Sequence, residues 1–411
     1  MADRLTVTRP ESPAELMTPR GRVLAALEHR QPDRVPRDLG GTTATGINVV
    51  AYRNLVDYLN LGEEVTLFSE RVRLANLSET ILARFRSDTR PVMPGGAFGV
   101  GQANPDGTFS DGYGIVRALP GERSHWYVVR SPLSGQVSRY DVVAAARSWP
   151  DPGDPVYTEG VAERARALHH ETDYAVILNL PLGVIQIAQW LRGFENWLMD
   201  VMLDPEFSIY LLDILLEKWL EVSRRLIAAV GNNVDVIFFA EDIAFHNGPM
   251  VSPGTYEKII HPYQKRIFQS LHDWSRAKIL YHNCGSVTWQ INDLIDMGVD
   301  ALNPVQVTSY DMGDTASLKR RFGDHMAFWG AIDTGHVLPH GTPQDVHHEV
   351  SRRVGDLAAD GGYVLASVHN IQAEVPPENI CAIWEAADAL DAESDLTNQT
   401  KTGMILRNPK N

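Results

Sequence analysis

Residues 278–286 read KILYHNCGS and set His282 and Cys284 two positions apart at the end of an apolar run. In an extended strand, residues i and i+2 point to the same side, so an imidazole nitrogen and a thiol sulfur can face one point together. That pair is half of a zinc site. Alone it is a weak signal, because a buried cysteine is commonly a small apolar filler. His369 follows a second apolar run, GYVLASVHN, and can supply a third donor from another direction. Three protein ligands with a fourth position open is the pattern of a catalytic zinc.

Other polar residues close the apolar runs in the same way. Asn179 ends one; Glu241 and Asp242 end another; Asn283 lies between His282 and Cys284; Asn303 and Gln306 end the next. Asp333 and the group Asn370, Gln372 finish the last two. Strand ends leave the core and turn polar in any fold, yet so many delivering polar groups to one rim suggests a site. Glu241 or Asp242 could complete coordination or act as a general acid, and Asp333 could orient a ligand imidazole. Asn179, Asn303, Gln306, Asn370 and Gln372 are the expected contacts to a bound cofactor. His246, just beyond Asp242, could also line the site. Cys381, in ENICAIWEAADAL, reads instead as part of an apolar helix face. His169, His170, His347 and His348 read as solvated.

These residues need elements to hold them. From about residue 174, strand-like runs (YAVILNLPLG, VDVIFFAED, KILYHNCG, DALNPVQ, MAFWGAID, GYVLASVHN) alternate with helical stretches. Strands without polar alternation, each followed by a helix, imply a parallel sheet covered on both faces. With one early strand near Val35–Gly40 and another before residue 95, the count fits a closed (β/α)8 barrel, whose active site lies where the strands end. An open doubly wound sheet is the alternative. It commonly carries a glycine-rich phosphate loop, and no such pattern opens a helix here. TPRGRVLAALEHR predicts a first helix, with Thr18 as N-cap and Pro19 at the first helical position. Residues 95–140 are rich in turn dipeptides and β-branched or aromatic pairs, which predicts antiparallel hairpins inserted over the barrel mouth. Residues 1–17 and 391–411 are polar and are expected to be flexible arms around a single domain over 18–390.

The chain of 411 residues is 44% apolar and carries a net charge of −15. An acidic balance argues against nucleic acid and against an anionic membrane surface. No run approaches the roughly 18 apolar residues of a membrane span, and the N-terminal stretch lacks a secretory core. Two cysteines form no disulfide framework, so a reducing cytoplasm is the expected location.

At these residues the sequence resembles the uroporphyrinogen decarboxylase superfamily. The resemblance runs over about 18–390 and rests on TPRGRVLAALEHRQPDRVP, AEDIAFHNGPMVSPGTYEKIIHPYQKRI, YHNCGSV, MAFWGAIDTGHVLPHGTPQDV and GYVLASVHNIQAEVPPENI. It implies a TIM-type barrel and two chemistries. The decarboxylases use no metal and bind substrate carboxylates through arginines of an R-Q-A-G-R loop. The corresponding stretch here, RVPRDLGGTTATGINVVAYRNL, has Arg34 and Arg37 but no such loop. The other branch comprises zinc methyltransferases of corrinoid-dependent systems, in which the His-x-Cys pair ligates zinc and a late cysteine before a P-P-E-N segment is the third ligand. His369 stands near that place. The resemblance therefore favours a zinc methyltransferase working with a small methyl donor or thiol and a corrinoid on a separate protein, as a homodimer. A metal-free carboxy-lyase using Arg34 and Arg37 is the alternative, and a non-catalytic tetrapyrrole binder a third.

Overall fold

The computed structural model describes residues 16–95 and 101–406, with side chains as far as 393. The N-terminal arm through residue 15 and residues 96–100 of the expected hairpins lie outside the described residues. Seven parallel strands form one curled sheet in the order Tyr363–Ser367, Ala327–Ile332, Ala301–Asn303, Lys278–His282, Val236–Ala240, Ala175–Asn179, Thr89–Val92. All six strand-like runs from residue 174 onward are strands of this sheet, and the strand expected before residue 95 is Thr89–Val92. The architecture is α/β and of TIM type.

The strand expected near Val35–Gly40 is a single parallel bridge between Arg37 and Leu365. Pro36 O accepts from Leu365 N, Leu365 O from Asp38 N, and Arg37 O from Asp88 N, each at 2.8–2.9 Å. The segment thus touches both edges of the sheet. It goes no further because Leu39 N donates to the Ser87 hydroxyl instead of to a strand, and Gly40 turns the chain at φ +75°.

Period-2 alternation sorts each strand into two faces. Ala175, Ile177, Val236, Phe238, Leu280, Ala301, Trp329, Val364 and Ala366 pack into one small buried cluster on the inside of the curl. Val176, Leu178, Ile237, Phe239, Ile279 and Tyr281 belong to the larger cluster shared with the helices. The helices begin where their caps dictate. Thr18 Oγ1 accepts from Gly21 N at the start of Pro19–Leu27, and Thr342 with Asp345 forms a capping box on Pro343–Leu357. Asp204 caps the long helix Pro205–Val230, whose buried leucines recur at helical spacing.

The last helix, Pro377–Leu406, continues well past Asp391, where the sequence suggested a loose tail. Arg37 explains part of that. Its buried guanidinium pairs with Asp388 at 2.8 Å and Asp391 at 2.6 Å, tying the helix to the sheet edge. Residues 101–130 form a four-stranded antiparallel sheet, Gly101–Ala103, Phe109–Asp111, Val116–Ala118 and Tyr127–Arg130. Among the described residues, no helix is long and apolar enough to cross a membrane.

Candidate metal centre

Strand Lys278–His282 lies between Val236–Ala240 and Ala301–Asn303, with His282 in register with Ala240 on one side and Asn303 on the other. Three neighbouring strands therefore deliver their last inward-facing residues to one place. His282 Nε2 lies 3.1 Å from Cys284 Sγ. The His282 and His369 rings meet edge to face with centroids 5.5 Å apart. One donor atom each from His282, Cys284 and His369 lies within 4.8 Å of the others.

The tautomer of His282 follows from its neighbour. Asn303 Nδ2 donates to Trp329 O at 3.1 Å, which turns Asn303 Oδ1 toward His282 Nδ1 at 2.5 Å. Nδ1 must then carry the proton, leaving the Nε2 lone pair facing Cys284 and His369. This is the arrangement by which outer polar groups orient a ligating histidine. Gly285 makes the sharp exit after the cysteine. Its φ is +104°, and a Cβ there would stand 2.6 Å from Phe245 O.

Asp242 is the carboxylate beside the three donors. Its Oδ1 accepts from Cys284 N at 2.9 Å and lies 3.9 Å from His282 Nε2, and its side chain is 40% exposed. Glu241 is placed differently. By strand alternation it shares the outer face with Ile237 and Phe239, and its Oε1 accepts from Ile185 N at 3.0 Å at the start of helix Val184–Arg192. Its Oε2 lies 3.4 Å from Gln264 Nε2, and Gln264 also donates to the Tyr281 hydroxyl. Glu241 is thus a buried helix cap, turned away from the donors. Burial pushes its carboxyl up to about 7.

Asp333 does not orient an imidazole of the cluster. Its Oδ1 accepts from Gly335 N and His336 N, closing the turn after strand Ala327–Ile332. The orienting role falls to Asn303, which the sequence suggested as a cofactor contact. The other amides are also engaged. Asn179 Oδ1 accepts from Thr43 N and its Nδ2 donates to Gly41 O. Asn370 Oδ1 accepts from Gly46 N and its Nδ2 donates to Thr43 O. Together they pin the loop over residues 41–46. Gln306 Oε1 accepts from Gly285 N at 2.7 Å, Gln372 donates to Asn370 O, and Asn283 Oδ1 accepts from Ile243 N. His246 is exposed, beside Ser309. Cys381 is buried in the last helix.

Arg34 and Arg37 are held in ion pairs. Arg34 donates to both carboxylate oxygens of Asp88, and Arg37 is bound to Asp388 and Asp391. They lie where the 36–39 segment starts, away from the strand ends that carry the cluster.

The donor chemistry fits a divalent cation. Burial and the nearby His282 push His369 down to about 4, which keeps its imidazole neutral and able to ligate. Burial and the Asp242 carboxylate push the Cys284 thiol well up. A divalent cation reverses that preference, since a coordinating thiol is deprotonated by the metal's own charge. Two neutral imidazoles and one thiolate, with Asp242 or an external group for the fourth position, make an ordinary zinc set.

Residues 151–390 match the uroporphyrinogen decarboxylase (URO-D) family. The methylated-thiol–coenzyme M methyltransferase of Methanosarcina mazei is 24% identical over 239 residues, 57% of this chain and 60% of the relative. The methylcobamide:CoM methyltransferase of the same organism is 25% identical over 213 residues, 51% of this chain and 57% of the relative. The chain thus spans about three fifths of the length of these curated relatives. A solved methyltransferase from Methanosarcina mazei superposes with a TM-score of 0.61 at 17% identity, covering 91% of this chain and 99% of that one. That likeness is one of fold.

Proposed function

The chain belongs to the uroporphyrinogen decarboxylase family, and within it we propose a zinc-dependent methyltransferase that moves a methyl group between a small methylated substrate or thiol and a corrinoid carried on a separate protein. The observation that carries this reading is the convergence of His282, Cys284 and His369, with His282 Nε2 left bare by Asn303. The names of the two Methanosarcina relatives support the reaction class. In this reading the 36–39 segment is the eighth stave of the barrel. The antiparallel sheet covers its mouth, a placement supported by residues 128–131 lining the same cleft as Asp242.

His282, Cys284 and His369 would hold the zinc. When bound, it acts as a Lewis acid on the heteroatom of a methyl donor or an acceptor thiol at the open position. The chain's own groups do the rest. Asn303 fixes the His282 tautomer, and Gln306 and Asp242 fix the backbone N–H groups of Gly285 and Cys284. These contacts pre-set the donors before substrate arrives. Asp242, close to the donors and open to solvent, can take or return a proton at the fourth position. The loop pinned by Asn179 and Asn370 forms one wall of the rim.

The test is a transfer assay on purified protein, scanning the cobalt chromophore with methylated thiols, amines and ethers as donors and thiols as acceptors. The expected result is a methyl-transfer change in the cobalt spectrum that is lost on chelation and restored by zinc. Full turnover after chelation, or metal-independent release of carbon dioxide from a carboxylated substrate, would move the lyase reading ahead.

A further inference from the structure

A cavity of about 300 Å³ lies between the antiparallel sheet and helices Val184–Arg192 and Pro205–Val230. That is the lower end of the range for small-molecule sites. Pro181, Leu182, Ile187, Leu215 and Val222 give it an apolar body. Two of its cations share one aromatic ring. Arg117 and Arg71 stand over the same Trp190 ring, their guanidinium carbons 4.3 and 5.4 Å from its centroid.

Two cations stacked on one ring need anions, and Asp111 is paired with one of them. Asp111 Oδ2 accepts from Arg117 Nη2 at 3.3 Å, while its Oδ1 is taken by Tyr113 N and Ile115 N. Arg117 is only 2% exposed, yet its Nε has no hydrogen-bond partner among the described residues. Arg71 makes no side-chain hydrogen bond among the described residues beyond its place over Trp190. Burial and the neighbouring Arg117 push Arg71 down to about 10, so each arginine adds to the cost of charging the other. Counting the whole lining, Arg71, Arg117 and Lys218 face Asp111 and Asp154, three positive charges against two negative. A buried guanidinium nitrogen left without a partner is costly and is the kind of exception that marks a ligand site.

We propose that this cavity binds a small organic monoanion, a carboxylate on an apolar or aromatic body, with the carboxylate bridging Arg117 and Arg71 beside Trp190 and the body lying among the apolar residues. A carboxylate matches the fork of donors that a guanidinium presents. Trp190 also lines the cleft that contains Asp242, so it is a shared wall between this cavity and the metal centre. The site stands on its own residues and does not depend on the zinc reading.

The test is calorimetric titration of the full chain with benzoate, and with benzamide and acetate as controls for charge and for body. Benzoate should bind saturably in the sub-millimolar range, with benzamide and acetate each at least about 10-fold weaker. Removing a hydrogen bond to a charged group corresponds to roughly a 10–100-fold loss of benzoate affinity, expected for Arg117→Met and for Arg71→Met. Arg71→Met breaks no hydrogen bond among the described residues and therefore decides the matter if Arg117→Met fails to fold. Asp111→Asn keeps the Oδ1 acceptor of its turn, removes the competing charge, and should tighten benzoate while leaving benzamide unchanged. Cys284→Ala should bind benzoate as the wild type does, which separates this site from the metal. Equal binding of benzoate and benzamide, undiminished affinity in Arg71→Met, or loss of benzoate in Cys284→Ala would overturn the proposal.

Discussion

Two regions of the rim, one strand apart, look alike in sequence and do opposite things. Strand Ala175–Asn179 and strand Lys278–His282 both end an apolar run in a buried polar side chain. At Asn179 both amide atoms are spent on backbone groups of the 41–43 loop. At His282 only Nδ1 is spent, on Asn303, and Nε2 is left facing a thiol and a second imidazole. A polar strand end is therefore not in itself a functional residue. What distinguishes the two is whether the fold has used up the group's hydrogen-bonding capacity or preserved it.

The largest effect is expected at the preserved end. Cys284→Ala should lose stoichiometric metal binding while circular dichroism and the melting transition stay close to wild type, because the residue lies at the rim and not in a packed layer. Retained metal at full stoichiometry in this variant would contradict the contrast. Asn303→Ala should act one step removed. It frees the His282 ring to rotate and change tautomer, and zinc affinity should fall roughly 10–100-fold, read by competition with a chromophoric chelator. An Asn303→Asp variant, which keeps an acceptor at the same place, should recover most of that loss.

The spent end predicts the reverse. Asn179→Ala leaves Thr43 N–H and Gly41 C=O without their partner, so unfolding stability should drop by roughly 1–3 kcal/mol with zinc affinity unchanged. A larger effect on metal than on stability would place Asn179 with the donors after all. Glu241 offers a similar separation through pH. Its folded-state carboxyl sits at about 7 against an ordinary value of 4.5, so the folded protein holds the proton that the unfolded chain has already released. Stability is therefore favoured at low pH and declines as pH rises from about 4.5 through about 7, by roughly 2–3 kcal/mol between pH 5 and 8. Glu241→Gln should remove that slope in urea-midpoint measurements. An unchanged slope would mean that another group carries it.

Much of this was legible in the residues, and the misses have physical causes. His282 and Cys284 follow from strand periodicity alone. The choice between Glu241 and Asp242 was open to the same reasoning, since Val236, Phe238 and Ala240 fix the inward parity and only Asp242 continues it. His369 breaks its own strand's parity, because Val364 and Ala366 face inward and the chain bends at 368–369 after Ser367. Periodicity could bring it to the rim but could not aim it. Asn303 stands against the imidazole where Asp333 was expected, because an amide and a carboxylate at strand ends look equally able to hold an imidazole until register is known. His282 pairs with Asn303 across adjacent strands, and that pairing is a tertiary fact. The Arg71–Arg117–Trp190 stack joins three distant segments with no shared period, so no local pattern announces it.

If three preserved donors hold one divalent metal, cobalt(II) reconstitution will reveal it. Chelated protein titrated with cobalt(II) should saturate at one equivalent per chain. It should develop the strong absorption of a tetrahedral ion with a thiolate charge-transfer band, and both features should be absent in Cys284→Ala. A wild-type spectrum without the thiolate band, or one that the cysteine substitution leaves intact, would mean that these three residues do not hold the metal.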